Sequence, residues 1–206
     1  MPVTAGSARR ATRAKEAKQA AYRELVLEAA LGLFAENGYD GTRMEEVAKT
    51  AGFAPATLYT VFRSKKSIYE AILEQGVWGI LHASAERARE AASPWDAVLE
   101  SIRGSHEYLI DHPDFLKVQL WETGSWAFEE SAKTSAWVRA FDGMKTLYER
   151  CIEEGSVAGD DAVLMAQLTL AMQQTQLARW LETGATQPKQ EQTEQMIALL
   201  ARTFGA

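Results

Sequence analysis

Apolar residues recur along this chain at intervals of three and four, and no useful stretch alternates with a period of two, so the pattern predicts helices throughout and an all-α fold. The first amphipathic stretch runs from about Tyr22 to Asn37. Two short ones follow. Met44, Val47, Ala48 and Ala51 mark a helix that Gly52 can end in the left-handed conformation, while Leu58 and Phe62, at i and i+4, mark the inward side of another. Thr42-x-x-Glu45 reads as a capping box for the first, and Ala54-Pro55 starts the second, because proline suits the first helical position and holds the residue before it extended. With Leu58 and Phe62 inward, Pro55, Ala56, Thr57, Tyr59, Thr60 and Arg63 are left to face a partner. Ser64 then caps a long helix to about Ala92, with Ile68, Ile72, Ile80 and Leu81 among its buried positions. Ser93-Pro94-Trp95-Asp96 starts the next, which ends near Asp111-His112-Pro113. A short helix holds Phe115 to Trp121, and a longer one begins between Trp126 and Ser131 and stops at Gly155. Asp160-Asp161 opens another that closes near Gly184, and a last helix runs from about Pro188 to Phe204.

At 206 residues and 47% apolar composition the chain can build a sizeable core. Its net charge of −6 hides an asymmetry. Residues 1–66 carry eleven Lys and Arg against seven Asp and Glu, while the remaining 140 carry eleven against twenty-one. A basic amino-terminal part on an acidic protein attracts a polyanion to one end and repels it from the other. Residues 1–21, with Arg9, Arg10, Arg13, Lys15 and Lys18 and few apolar anchors, read as a flexible basic arm.

The order of Ala29-Ala30, Leu33-Phe34, Gly38-Tyr39, Thr42, Val47-Ala48, Ala51-Gly52-Phe53, Thr57-Leu58-Tyr59, Phe62 and Ser64-Lys65 resembles the amino-terminal domain of the TetR family of transcriptional regulators. The likeness runs from roughly Glu24 to Leu73. It implies that residues 22–66 form a three-helix, helix-turn-helix DNA-binding domain, with residues 67–206 as a helical effector-binding and dimerisation domain. The second short helix is then expected in the major groove. The DNA-contacting set is Thr42, Arg43, Pro55, Ala56, Thr57, Tyr59, Thr60, Arg63, Lys65 and Lys66, with Thr42 and Lys65 on phosphates. The family commonly has Ser or Thr at the place of Ala54, Gly at Ala56, His or Tyr at Val61 and Glu at Lys66, so the operator contacts of this chain differ in detail.

Between Asp160 and Thr183, Leu164, Leu168, Ala171 and Ala178 form one apolar stripe and Val163, Leu170, Leu177 and Leu181 a second. A helix apolar on two sides is buried on two sides, and the domain's own core accounts for one of them. This predicts a homodimer through 160–183 and 188–204, the arrangement that the family resemblance also implies. All six tryptophans lie between Trp78 and Trp180. Together with methionines and amides they suggest an apolar cavity with a few polar groups. The candidate lining is Trp78, His106, Phe115, Gln119, Trp121, Trp126, Trp137, Phe141, Met144, Met172 and Gln176. The expected effector is small and apolar, or cationic if Glu107 and Glu122 point inward.

The chemistry of an enzyme is not legible. His82, His106 and His112 belong to no ligand motif, Cys151 falls on an apolar stripe as packing, and the helical pattern offers neither a phosphate loop nor a nucleophile elbow. No catalytic residue, metal or cofactor is expected. Without a membrane span or a signal peptide, the sequence reads as cytoplasmic. The reading is a ligand-responsive regulator, a repressor released from a palindromic operator by a small molecule. The alternative is a ligand-independent DNA-organising or partner-binding helix-turn-helix protein.

Overall fold

A computed structural model of the chain describes residues 4–121 and 135–206, which fold as helices plus an isolated antiparallel bridge between Val157 and Gly205. None of these helices is long and apolar enough to cross a membrane. The chain divides between Ile72 and Leu73 into two compact units.

The first unit contains α1 (Thr4–Gly41), α2 (Met44–Thr50), α3 (Pro55–Val61) and the start of α4 (Lys65–Ala88). Val26, Ala30 and Phe34 of α1, Val47 and Ala48 of α2, and Leu58 beside Phe62 of α3 are buried together with Ile68 and Ile72. Gly52 has φ of 76°, so the chain leaves α2 in the left-handed region and re-enters helix at Pro55 with Ala54 extended. Ser64 and Ser67 cap α4 reciprocally, each hydroxyl accepting from the other's amide N–H at 3.1–3.2 Å.

Two expectations fail in this unit. The segment read as a flexible arm is helical from Thr4 onward. Its Ala, Arg, Lys and Gln residues are strong helix formers, and they extend a helix already anchored by the packing of Val26 to Phe34, so no new nucleation is needed. The cap of α2 is displaced by one residue. Arg43 is the cap, its amide N–H donates to the Glu46 carboxylate at 2.9 Å, and Thr42 is 1% exposed with its hydroxyl donating to the carbonyls of Gly38 and Leu33. A threonine at that depth turns its hydroxyl onto the end of α1, and Arg43 takes the cap position of α2, its carbonyl accepting from the Glu46 and Val47 amides.

The second unit contains the rest of α4, then α5 (Pro94–Asp111), α6 (Pro113–Trp121), α7 (Ser135–Glu154), α8 (Ala162–Glu182) and α9 (Lys189–Phe204). The helix starts read at Ser93 and Asp161 are side-chain caps: Ser93 accepts from the Asp96 amide and Asp161 from the Leu164 amide. Val98, Ile102, Met144, Tyr148, Cys151, Met165, Met196, Leu200 and Phe204 make a core shared by α5, α7, α8 and α9. Cys151 is packing, its thiol pushed up by burial. The Tyr148 hydroxyl meets Thr169 Oγ1 at 2.6 Å inside this core.

Glycine allows α4 to approach α5 and α6. A Cβ on Gly104 would lie 2.4 Å from the Ala83 carbonyl oxygen, and one on Gly76 would lie 2.1 Å from the Phe115 ring. Gly104→Ala gains about 1 kcal/mol of helix propensity but overlaps backbone, which cannot rotate aside. The expected net result is a loss of about 1 to 2 kcal/mol, read as a midpoint a few degrees lower in thermal unfolding. An unchanged or higher midpoint would mean that the helices separate freely.

Candidate functional site

On the head, α3 presents its outward face as its sequence spacing required. Leu58 and Phe62 hold it to the core, and Pro55, Ala56, Thr60, Arg63 and Tyr59, the last 48% exposed, lie on the surface. Thr57 is half-buried, and its carbonyl accepts from the Thr60 hydroxyl at 2.6 Å. Arg43 and Lys66 are exposed, the latter within 3.6 Å of Glu70.

Thr42 and Lys65, expected on phosphates, are engaged inside the head. Lys65 Nζ donates to the Tyr39 carbonyl at 2.6 Å and the Thr42 carbonyl at 3.0 Å, and it sits 4.3 Å from the centroid of the Tyr39 ring. Two of its three N–H donors thus fasten the α1–α2 connection to the first turn of α4. The charge is also distributed differently from its regional total. Residues 22–66 carry six basic against six acidic side chains, so the excess belongs to Arg9, Arg10, Arg13, Lys15 and Lys18 in the leading turns of α1.

In the second unit a partly open pocket of about 250 Å³ lies among α4, α5, α7 and α8. Val77, Ile80, Leu81, Ser84, Ala85 and Ala88 line it from α4, and Ser101, Ile102, Ser105 and Leu109 from α5. Trp137, Phe141, Met144 and Leu147 face them from α7, Leu170 and Gln173 from α8, and Gln119 from α6. The rings of Trp137 and Phe141 stack with centroids 5.3 Å apart and planes 6° off parallel.

Of the expected lining, Gln119, Trp137, Phe141 and Met144 are therefore brought together, and others are not. Trp78 is 44% exposed, with its indole N–H on Glu74 and the Arg139 guanidinium over its ring. Phe115 is buried against Gly76, and Met172 packs on the α5–α9 core. Gln176 stands beside α9, where its carbonyl accepts from Gln192. His106 is 0% exposed and lies outside the lining, with neither ring nitrogen hydrogen-bonded among the described residues; burial pushes its pKa down to about 4. Trp126 and Glu122 lie outside the described residues, as does the side chain of Trp121. Glu107 pairs with Arg87 and does not line the pocket, so it gives no support to a cationic effector.

On α8, Met165, Ala166, Thr169, Gln173, Leu177 and Trp180 are buried. Val163, Leu164 and Leu168 are 42–49% exposed, and Ala171 continues the same strip. The outward stripe is thus the one through Leu164 and Leu168, while Leu177 is in the core and Leu170 in the pocket. On α9, Met196, Ile197, Leu200 and Phe204 serve the chain's own core.

Residues 26–72, the stretch that builds this head, match the family described as bacterial regulatory proteins, tetR family. The head of the chain is similar to the amino-terminal domain of that family. The HTH-type transcriptional regulator RutR of Escherichia coli (strain K12) is 36% identical over 110 residues, 53% of this chain and 48% of RutR. The chain spans about half the length of such curated relatives. The fatty acid degradation regulator FadR from Bacillus halodurans shares the fold at a TM-score of 0.77 and 16% identity, over 87% of this chain and 94% of that one. FadR from Bacillus subtilis, solved with stearoyl-CoA, gives 0.72 and 18% over 86% and 96%.

The pocket residues that sequence reasoning missed are mainly those of α4 and α5. Their apolar and serine positions carry the same helical spacing as ordinary core, and only the volume left between the helices distinguishes them. Lys65 offers a direct check on the head. Lys65→Met keeps the stem but loses both bonds to backbone carbonyls. The expected result is a loss of about 2 kcal/mol in urea unfolding of the head, with the salt slope of DNA binding changed by less than about one unit. An unchanged urea midpoint with a slope reduced by about one would return Lys65 to the phosphates.

Proposed function

We propose that the chain is a ligand-responsive transcriptional repressor that binds a palindromic operator as a homodimer and is released by a small molecule. The observation that carries this reading is α3, held to the head by Leu58 and Phe62 and presenting Ala56, Tyr59 and Thr60 outward, with Arg63 exposed in the bend that follows it. Hydroxyls on a short helix and a guanidinium just beyond its end suit base edges and phosphates of a major groove. The basic turns of α1 supply the sequence-independent attraction.

A second copy completes the α8 surface. Large apolar side chains at Leu164 and Leu168, one helical turn apart and continued by Ala171, form a strip that a two-fold related strip can cover. Two heads so related read half-sites about 34–36 Å apart, or at a multiple of that spacing. The pocket supplies the place for an effector, and α4, which lines it, begins in the head.

Selection of genomic fragments by the purified chain tests this. The expected result is a small set of fragments sharing an inverted repeat, with Tyr59→Ala losing the preference for them. Uniform retention of fragments regardless of sequence, unaffected by small molecules, would favour the DNA-organising alternative.

A further inference from the structure

We propose that the pocket takes an uncharged aromatic molecule ending in a hydrogen-bonding group held by Gln173, and that it rejects the anionic and cationic counterparts of that molecule. This rests on the ligand-responsive reading above and specifies its ligand. No Asp, Glu, Lys, Arg or His side chain lines the pocket among the described residues. The nearby charges of α4 and α5 neutralise one another, since Arg87 is paired with Glu107 and Glu100. An ion entering such a site loses its hydration and meets no counter-charge, so its neutral form is favoured strongly.

The aromatic part follows from α7. Trp137 and Phe141, whose rings stack in parallel, contribute an aromatic wall to the pocket, which small and aliphatic positions of α4, among them Ala85 and Ala88, also line. A flat ring can lie on such a wall in the offset geometry that aromatic pairs prefer. The volume of about 250 Å³ exceeds the roughly 150 Å³ of a cavity that holds benzene, which leaves room for a second ring or a substituent.

The hydrogen-bonding end follows from Gln173. It is 4% exposed, and its Nε2 donates to Ser105 Oγ at 2.8 Å. Ser105 in turn donates to the Ile102 carbonyl at 3.0 Å, which fixes the serine and through it the amide. One N–H of Gln173 is satisfied in this way. Among the described residues the second N–H and the carbonyl oxygen make no further bond, which leaves a donor and an acceptor on one amide for the occupant of the pocket. A primary carboxamide or a similar neutral group with both functions is complementary to that pair.

The test is calorimetric titration of the full chain at neutral pH with naphthalene, naphthalene-2-carboxamide, naphthalene-2-carboxylate and 2-naphthylmethylammonium. The carboxamide is expected to bind at least about thirtyfold more tightly than either ion. Gln173→Leu, close in volume, is expected to weaken the carboxamide about tenfold and naphthalene less than about twofold, with Ser105→Ala reproducing the direction. Either ion binding within about threefold of the carboxamide would overturn the ligand class while leaving an effector pocket in place. Equal weakening of naphthalene and carboxamide by Gln173→Leu would remove Gln173 as the anchor. Absence of binding by all four compounds would overturn the pocket reading and this inference with it.

Discussion

Replacing Leu168 with Glu is expected to turn a dimer into monomers and to abolish tight operator binding. In one copy Leu168 is 42% exposed and so tolerates the change, but a two-fold partner across α8 would bury the carboxylate without a counter-charge. Uncompensated burial of that kind costs about 3 to 5 kcal/mol. Sedimentation should then give the mass of a single 22.8 kDa chain, with the helical content and unfolding midpoint of the monomer retained. Leu164→Glu, one turn earlier on the same strip, should behave alike. Leu177→Glu should not, because Leu177 is wholly inside its own chain and the charge would unfold the domain. Two variants, at Leu164 and Leu168, that remain dimeric would exclude this face as the interface.

Acid is expected to destabilise the second unit through His106. Its folded-state pKa is about 4 against an ordinary value of 6.5, lowered by burial, with no hydrogen-bond partner for either nitrogen among the described residues. Between those two values the unfolded chain binds the proton and the folded chain does not, so stability falls as pH is lowered from 6.5 to 4. The loss amounts to about 3 kcal/mol, is absent above pH 6.5, and is complete near pH 4. Urea unfolding across this window should show that slope, and His106→Leu should remove it while also relieving a buried imidazole of its unmet hydrogen bonds. The same slope in the variant would assign the acid sensitivity to other groups.

The helices, their caps and the head were legible for a common reason: each depends on residues close in sequence. The serine cap at Ser93, the aspartate cap at Asp161, the glycine turn at Gly52 and the buried pair Leu58 and Phe62 are local geometry written in local side chains. Even so, locality misled at Thr42. The motif matched a capping box, but burial turns the Thr42 hydroxyl onto the end of α1 and the cap falls one residue later, at Arg43.

Lys65 repeats that competition on a larger scale. A basic residue at the start of a helix beside a DNA-reading element suggests a phosphate contact, yet its nearest acceptors are the carbonyls of Tyr39 and Thr42, more than twenty residues earlier. The pocket follows the same rule. Trp137, Phe141, Met144 and Gln119 were found because aromatic and amide residues are conspicuous, whereas Trp78, Phe115, Met172 and Gln176 are as conspicuous but face elsewhere.

The sequence by itself determined an all-helical chain, the order and limits of most helices, and a head whose third helix turns Tyr59 and Thr60 outward. Hydrophobic periodicity and capping act within one or two turns, and a single chain carries that information in full. The tertiary structure decided which of two apolar stripes on α8 is covered, where the space between α4, α5, α7 and α8 lies, and that Gln173 is fixed by Ser105 while Glu107 is neutralised by Arg87. Each of these depends on which helix lies against which, and packing sets that between residues far apart in the chain, as in the 68 positions that separate Ser105 from Gln173.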